Sequence, residues 1–87
     1  MTAERESLLE FPSDVPIKVF GRNEPEFRRA VLAIIEAHYG TAYSIGEQQS
    51  KQGSYASLTI TVRAESRAQI DAVYRGLVAH ELVLMAL

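Results

Sequence analysis

The sequence predicts an α+β fold, a ferredoxin-like two-layer sandwich with the element order β-α-β-β-α-β. Three patterns support this prediction: two apolar stripes with helical spacing, a long strand that alternates strictly between apolar and polar residues, and shorter strand-like runs around them. Right-handed crossovers would place both helices on one face of a four-stranded antiparallel sheet, in the spatial order 4-1-3-2. The other face of the sheet would be uncovered.

The composition indicates one small domain. The chain has 87 residues, no cysteine and a formal net charge of -2. Disulfides and thiolate sites are therefore excluded, and the charge argues against a dedicated nucleic-acid binder, which usually carries a basic surface. Residues 1–14 show no sustained period, so we predict an N-terminal arm there and a single ferredoxin-like domain over residues 15–87. With no apparent signal peptide or membrane-spanning run, we expect a cytoplasmic protein that does not enter membranes.

The first strand and the first helix follow from the pattern of apolar residues. Residues 15–20 alternate between apolar and other side chains, which is typical of a strand. Asn23 and Glu26 have the spacing of a capping box, in which each side chain satisfies a free backbone N–H of the first turn. The apolar stripe that follows spans residues 27–38 and predicts a helix that ends at Gly40.

The second and third strands should form a hairpin. Residues 43–50 are mostly polar and contain Gly46, which predicts an edge strand with a bulge. Gln52 and Gly53 predict the turn. Residues 54–64 then alternate strictly, which predicts a strand with one covered face. The residues expected on the covered face are Ala56, Leu58, Ile60, Val62 and Ala64.

The last two elements are a helix and a short apolar strand. Ser66 and Gln69 predict a second capping box, and an apolar stripe over residues 70–78 predicts the helix. Residues 82–87 predict a strand that is apolar on both faces, so the row left uncovered is either Leu82, Leu84 and Ala86 or Val83, Met85 and Leu87. That row would form an exposed patch at the sheet edge, unless the arm covers it through Leu8, Leu9 and Phe11.

The stretch from Lys51 to Leu58 raises the question of RNA binding, because RNA-recognition domains share this topology. Their third strand carries a basic residue, a glycine and two exposed aromatic residues. Placing Tyr55 at the second stacking position puts Gly53 at the first, and the aromatic expected on strand 1 falls at Lys18. Because stacking on an aromatic side chain contributes ~1–3 kcal/mol per base, the absence of two of the three expected aromatic residues would remove most of the affinity for RNA. We therefore interpret the stretch as a hairpin turn and keep single-stranded nucleic-acid binding through the sheet as an alternative.

No motif in the sequence indicates catalysis. His38 and His80 lie near the ends of the predicted helices, where an imidazolium would be favoured by the helix dipole, and they lack the spacing of metal ligands. The carboxylates are scattered over helix starts, polar faces and loops. A small dimeric enzyme is a second alternative, in which His38, His80 or Tyr55 would meet a carboxylate across a subunit interface. We expect no catalytic residue, no cofactor and no metal site.

Five segments spread along the chain form a pattern that is found in one protein family. They are Leu8-Leu9-Glu10-Phe11-Pro12, Lys18-Val19-Phe20-Gly21, Gly53 to Thr61, Ile70 to Leu77, and Val83-Leu84-Met85-Ala86-Leu87. In these segments the chain resembles the YbeD-like family of small bacterial proteins of unknown function. The resemblance implies no catalytic residues, and it implies a ferredoxin-like fold similar to the ACT domain, a regulatory module that binds amino acids at domain interfaces. ACT modules often place their ligand at the turn after strand 1, which would be Phe20 to Asn23 here.

These observations lead to one functional prediction. We expect a non-catalytic regulatory or interaction module that binds a small metabolite or a partner protein, with a homodimer through the sheet as one arrangement. The candidate interaction surface consists of Lys18, Phe20, Gly21, Arg22, Tyr55, Thr59 and Arg63.

Overall fold

The computed structural model describes residues 10–87 and has its elements in the predicted order. The strands form one antiparallel sheet with the order β2-β3-β1-β4, which confirms the ferredoxin-like topology. Residues 1–9 of the predicted arm, including Leu8 and Leu9, lie outside the described part of the chain, and β1 already begins at Ser13. The elements are β1 (Ser13–Arg22), α1 (Pro25–Tyr39), β2 (Tyr43–Gln49), β3 (Tyr55–Ala64), α2 (Arg67–Ala79) and β4 (Val83–Ala86).

The core lies between the sheet and the two helices, as the alternation in β3 predicts. The inward row of β3 is buried along its whole length, and Thr59 and Arg63 point to the opposite face. Both helices pack on the same side and contact each other. The side chains that fill this layer include Ile17, Val19, Phe27, Val31, Ile35, Leu58, Ile60, Val73 and Leu77.

The start of α1 differs from the predicted capping box. The capping residue is Glu24, which makes no side-chain hydrogen bond to the helix, and Pro25 occupies the first turn. Asn23 is held elsewhere: its side-chain amide donates to the carbonyl oxygen of Gly53 at 2.8 Å, and its oxygen accepts from Arg28 at 2.6 Å. The prediction for Asn23 was wrong because the side chain bonds the distant β2–β3 turn instead of its own helix. For α2 the N-cap is confirmed, since Ser66 accepts from the backbone N–H of Gln69. The return bond of the predicted capping box differs, because the Gln69 side chain accepts from the backbone N–H of Glu65 and not from that of Ser66.

The bulge in the sheet is in β4, and the prediction of a bulge at Gly46 was wrong. β2 pairs with β3 in one uninterrupted register, whereas the pairing of β4 with β1 shifts by one residue between Phe20 and Gly21. The shift leaves Leu84 as the extra residue. Neither of the two alternating rows proposed for this strand therefore stays intact. Met85 lies opposite Phe20 on the uncovered face, whereas Val83 and Ala86 lie opposite residues of the covered face.

Pro16 can lie within strand β1 because the pairing with β4 and Leu87 does not extend as far as Pro16. Lys18 exchanges both backbone hydrogen bonds with Leu87, so the N–H groups of alternate β1 residues point toward β4. Pro16 lies two residues before Lys18, and within residues 10–87 no strand pairs with it on that side. Its missing N–H therefore removes no hydrogen bond of the sheet.

Candidate functional site

Most of the predicted interaction residues meet on the side of the sheet that the helices do not cover, which we call the open face. Arg22 lies opposite Tyr55 and Lys18 lies opposite Thr59 in the β1–β3 register, with Phe20 between them. Arg63 is at the far end, and Gly21 is the exception because its position in β1 faces the helices. The open face as described consists of Asp14, Pro16, Lys18, Phe20, Arg22, Ser44, Gly46, Gln48, Tyr55, Ser57, Thr59, Thr61, Arg63, Met85 and Leu87.

The open face is cationic although the chain as a whole is acidic. It carries Lys18, Arg22 and Arg63 against one carboxylate, Asp14. Arg63 and Asp14 are 3.3 Å apart and are both well exposed, so their ion pair contributes little to stability. Met85 and Leu87 add an apolar strip along β4 beside these charges, with 52% and 61% of each residue exposed.

Tyr55 is the aromatic side chain most exposed on the open face, and it is already in contact with a cation. The guanidinium carbon of Arg22 lies 5.9 Å from the centre of the Tyr55 ring, which is within the range of a cation–π interaction. Phe20 is only half-buried and lies beside Met85. A base that stacked on Tyr55 from this side would have to displace Arg22.

A small cleft adjoins the open face where β1 ends and α1 and β4 begin. Its volume is about 120 Å³. Phe27, Leu82 and Leu84 provide apolar walls, and the charged residues around it have both signs. The lining residues are Arg22, Glu24, Phe27, Glu81, Leu82 and Leu84. The sequence pointed to Arg22 at this turn and named Leu82 and Leu84 only as part of one of two alternative exposed rows. It did not point to Glu81, and the bulge that exposes Leu84 has no signal in a uniformly apolar strand.

Gly21 forms the tightest contact beside this cleft. A β-carbon at Gly21 would lie 2.3 Å from two ring carbons of Phe27 and 2.9 Å from the carbonyl oxygen of Leu82. These distances are far below ordinary van der Waals contact. Gly21 is therefore needed for close packing between the end of β1, the start of α1 and the approach to β4.

The histidines are placed at helix ends, as predicted. His80 caps the C-terminus of α2, and its Nδ1 atom accepts a hydrogen bond from the backbone N–H of Leu82 at 3.1 Å. His38 is in the last turn of α1 and is exposed. Within residues 10–87, no three side chains of the His, Cys, Asp and Glu types lie close enough to hold a metal ion.

Two polar contacts fasten α1 to the edge strand β2 on the covered side of the sheet. Arg28 forms an ion pair with Glu47, in which Nε donates to Oε1 at 2.8 Å. The Tyr43 hydroxyl donates to Glu36 at 2.7 Å. The hydrogen bond from Arg28 lowers the pKa of Glu47, and the hydrogen bond to Glu36 raises the pKa of Tyr43.

Replacing Glu47 with glutamine should remove a pH-dependent part of the stability. Because the pKa of Glu47 is lower in the folded chain, its contribution is present above the unfolded pKa and is lost as the pH falls through the folded pKa. The urea midpoint of Glu47→Gln should therefore lie below that of the parent chain at neutral pH, and the difference should shrink on acidification to about pH 3. Glu10→Gln, at an exposed position, is the control. A difference that is constant with pH would contradict this assignment.

None of the helices in residues 10–87 is long and apolar enough to cross a membrane.

Comparison with known proteins identifies relatives along nearly the whole chain. The family described as "Protein of unknown function (DUF493)" matches residues 6–87. A UPF0250 protein of Paraburkholderia phytofirmans is 39% identical, with all of both chains covered. A UPF0250 protein of Bordetella parapertussis is 44% identical over 94% of this chain and 92% of its own.

A solved structure confirms the fold at much lower sequence similarity. The solution structure of protein HP0495 from H. pylori matches with a TM-score of 0.78 and covers 91% of this chain and 85% of that one. Its sequence is only 10% identical, so the likeness shows the fold alone. The full-length relatives show more: the chain belongs to the DUF493 or UPF0250 family of small bacterial proteins, the YbeD-like family that the sequence segments resemble.

Proposed function

We propose that the protein is a non-catalytic regulatory module of the cytoplasm that binds a small metabolite in the cleft between β1, α1 and β4. The observation that supports this proposal is the combination of apolar walls with charges of both signs in one concave site. A small zwitterion such as an amino acid would place its carboxylate near Arg22 and its ammonium group near Glu24 or Glu81. Its side chain would lie against Leu84, which is otherwise 61% exposed.

The position and size of the cleft limit the class of ligand. The cleft adjoins the turn from Phe20 to Asn23, where ACT modules often place their ligand, so the family resemblance favours the same end of the domain. A volume of about 120 Å³ is smaller than the ~300–1,000 Å³ that is usual for drug-sized ligands. We therefore expect a compact ligand, or one end of a longer ligand whose remainder lies over the open face.

Titration by two-dimensional NMR tests the proposal with defined compounds. The ¹⁵N-labelled chain would be titrated separately with the common amino acids, lipoate and octanoate. We expect saturable shifts of the amide signals of Gly21, Arg22 and Leu84 with a subset of these compounds. A response to amino acids alone would indicate that binding requires both the ammonium and the carboxylate group of the ligand. A response to lipoate or octanoate as well would indicate that Arg22 and the apolar walls are sufficient for binding.

A pair of arginine variants separates specific binding from general charge attraction. Arg22→Gln should weaken binding by about ten- to hundredfold, because it removes a charged hydrogen-bond donor worth roughly 1.5–3 kcal/mol. Arg63→Gln is the matched control, because Arg63 is a cation of the open face at the opposite end of the β1–β3 pair. Equal losses in the two variants, or shifts that spare the cleft with every compound, would contradict the proposal.

The open face supports a second candidate, a partner protein with an acidic surface. Three cations flanked by the apolar side chains of Met85 and Leu87 would complement acidic residues around an apolar contact. Nucleic acid is less well supported, because the ring of Tyr55 is already in contact with Arg22. Titration with an oligothymidine at low salt separates these two cases, since binding to phosphates would weaken steeply as salt is added.

A further inference from the structure

The free edges of the sheet differ in how they are protected against pairing with another strand. Natural proteins block such edges with short strands, bulges, prolines or lysines. β4 has four residues and contains the bulge at Leu84. The part of β1 that extends beyond β4 carries Pro16, whose missing N–H faces that side. Both exposed stretches on this side of the sheet are therefore poor templates for strand pairing.

β2, on the other side of the sheet, has none of these protections. Its seven residues pair with β3 in an unbroken register, without a bulge, and include no proline or lysine. Its one charged side chain, Glu47, is neutralised by Arg28. Gly46, in the middle of the strand, has no side chain to shield the edge, and a β-carbon there would have no atom within 4 Å. Within residues 10–87, no strand pairs with the outer edge of β2.

The hydrogen bonds of the hairpin show which backbone groups of β2 point outward. Ser50 donates its N–H to the carbonyl oxygen of Tyr55, so the even-numbered residues of β2 bond to β3. The N–H and C=O groups of Ile45, Glu47 and Gln49 must then point away from the sheet. The N–H of Tyr43 already bonds to Thr41, which leaves its carbonyl oxygen for the outer edge.

This set of outward groups is complementary to itself. If two copies of β2 run antiparallel about a two-fold axis at Gly46, Ile45 of one copy lies opposite Glu47 of the other and exchanges two hydrogen bonds with it. The N–H of Gln49 reaches the carbonyl oxygen of Tyr43, so every outward N–H group of the strand obtains an acceptor. Ile45, which is 45% exposed in the single chain, would become more buried in this pairing. Each Glu47 carboxylate would keep its ion pair with Arg28 of the same chain.

We propose that β2 pairs with β2 of a second copy of this chain, so that the two sheets join into one continuous antiparallel sheet. A two-fold axis perpendicular to the sheet keeps both helical layers on one side and both open faces on the other. The proposal is independent of ligand binding, because the cleft is lined by residues from β1, α1 and the β4 end of the molecule.

Hydrogen exchange of the full chain tests this pairing directly. The amides of Ser44, Gly46 and Gln48 bond within the hairpin, so they should exchange slowly at any protein concentration. The amides of Ile45, Glu47 and Gln49 should exchange slowly only at concentrations where sedimentation shows a dimer. Protection of these three amides in a monomer would overturn the proposal, since the cover would then come from within the chain.

Ile45→Pro blocks the outer edge without removing a bond to β3, because the N–H of Ile45 points outward. We expect the dimer dissociation constant to rise about tenfold or more, since two intermolecular bonds are lost. Ile45→Val keeps the N–H and should remain dimeric. If Ile45→Pro fails to fold, Gln49→Pro removes another outward N–H at the end of the strand.

Three further results would overturn the proposal. One is a parent chain that stays monomeric at about 1 mM, where even weak pairing would be detected. Another is a dimer that Ile45→Pro and Gln49→Pro leave unchanged, which would place the interface elsewhere. The third is a dimer in which the amides of Ile45, Glu47 and Gln49 exchange freely.

Discussion

Replacing Gly21 with alanine should lower the free energy of unfolding by about 1–3 kcal/mol, and by more if the neighbouring side chains cannot move. The added methyl group would overlap two ring carbons of Phe27, which is only 1% exposed and packs in the core. It would also meet the backbone carbonyl of Leu82, which can move only with the chain. A domain of this length is stabilised by roughly 4–13 kcal/mol in total, so the loss is a large fraction.

Gly46→Ala is the matched control for this substitution. Gly46 also lies within a strand, but a β-carbon there meets nothing within 4 Å. Because glycine in a strand interior costs about 0.5–1 kcal/mol relative to alanine, this variant should be neutral or slightly stabilised. Urea denaturation followed by circular dichroism, at one protein concentration for all variants, measures both effects. If Gly21→Ala were as stable as Gly46→Ala, the close packing of Gly21 against Phe27 would be incorrect.

The element order and the faces of the long strands could be predicted because they depend on periodicity. The alternation in β3 assigns Leu58 and Ile60 to one face and Thr59 to the other, and burial of the apolar row fixes that choice. The cap of α1 could not be predicted in the same way. Asn23 has the right local spacing, but its side chain bonds Gly53, a residue far along the chain. A local motif does not reveal such a competing long-range partner.

The candidate site was predictable to a similar extent. Lys18, Arg22 and Tyr55 meet on the open face because strand alternation and topology together place them there. Gly21 was grouped with them, yet it faces the helices because β1 continues regularly to Arg22. The wall of the cleft formed by Leu84 depends on a bulge in a strand whose residues are all apolar. Both alternating rows of such a strand look alike, so the sequence carries no signal for the shift.

The face of β3 that the helices cover is tested by two neighbouring substitutions, Leu58→Ala and Thr59→Ala. Leu58 is fully buried in the centre of the sheet, so its truncation leaves a cavity and should lower the free energy of unfolding by about 2–5 kcal/mol. Thr59 lies opposite Lys18 on the open face, and its truncation should cost no more than about 1 kcal/mol, the range of intrinsic strand preference. Urea midpoints of the two variants give the comparison.

The sign of this difference matters more than its size, because the proposed contact with an acidic partner protein needs an uncovered face of the sheet. A larger loss for Thr59→Ala would mean that helices or another layer cover the side that carries Lys18 and Arg22. The acidic partner would then have no surface to bind. A much larger loss of unfolding free energy for Leu58→Ala would instead show that the stabilising core lies between the helices and the inward rows of β1 and β3, where Ile17 and Ile60 are fully buried. The cationic side would then be available for contact without disturbing the core.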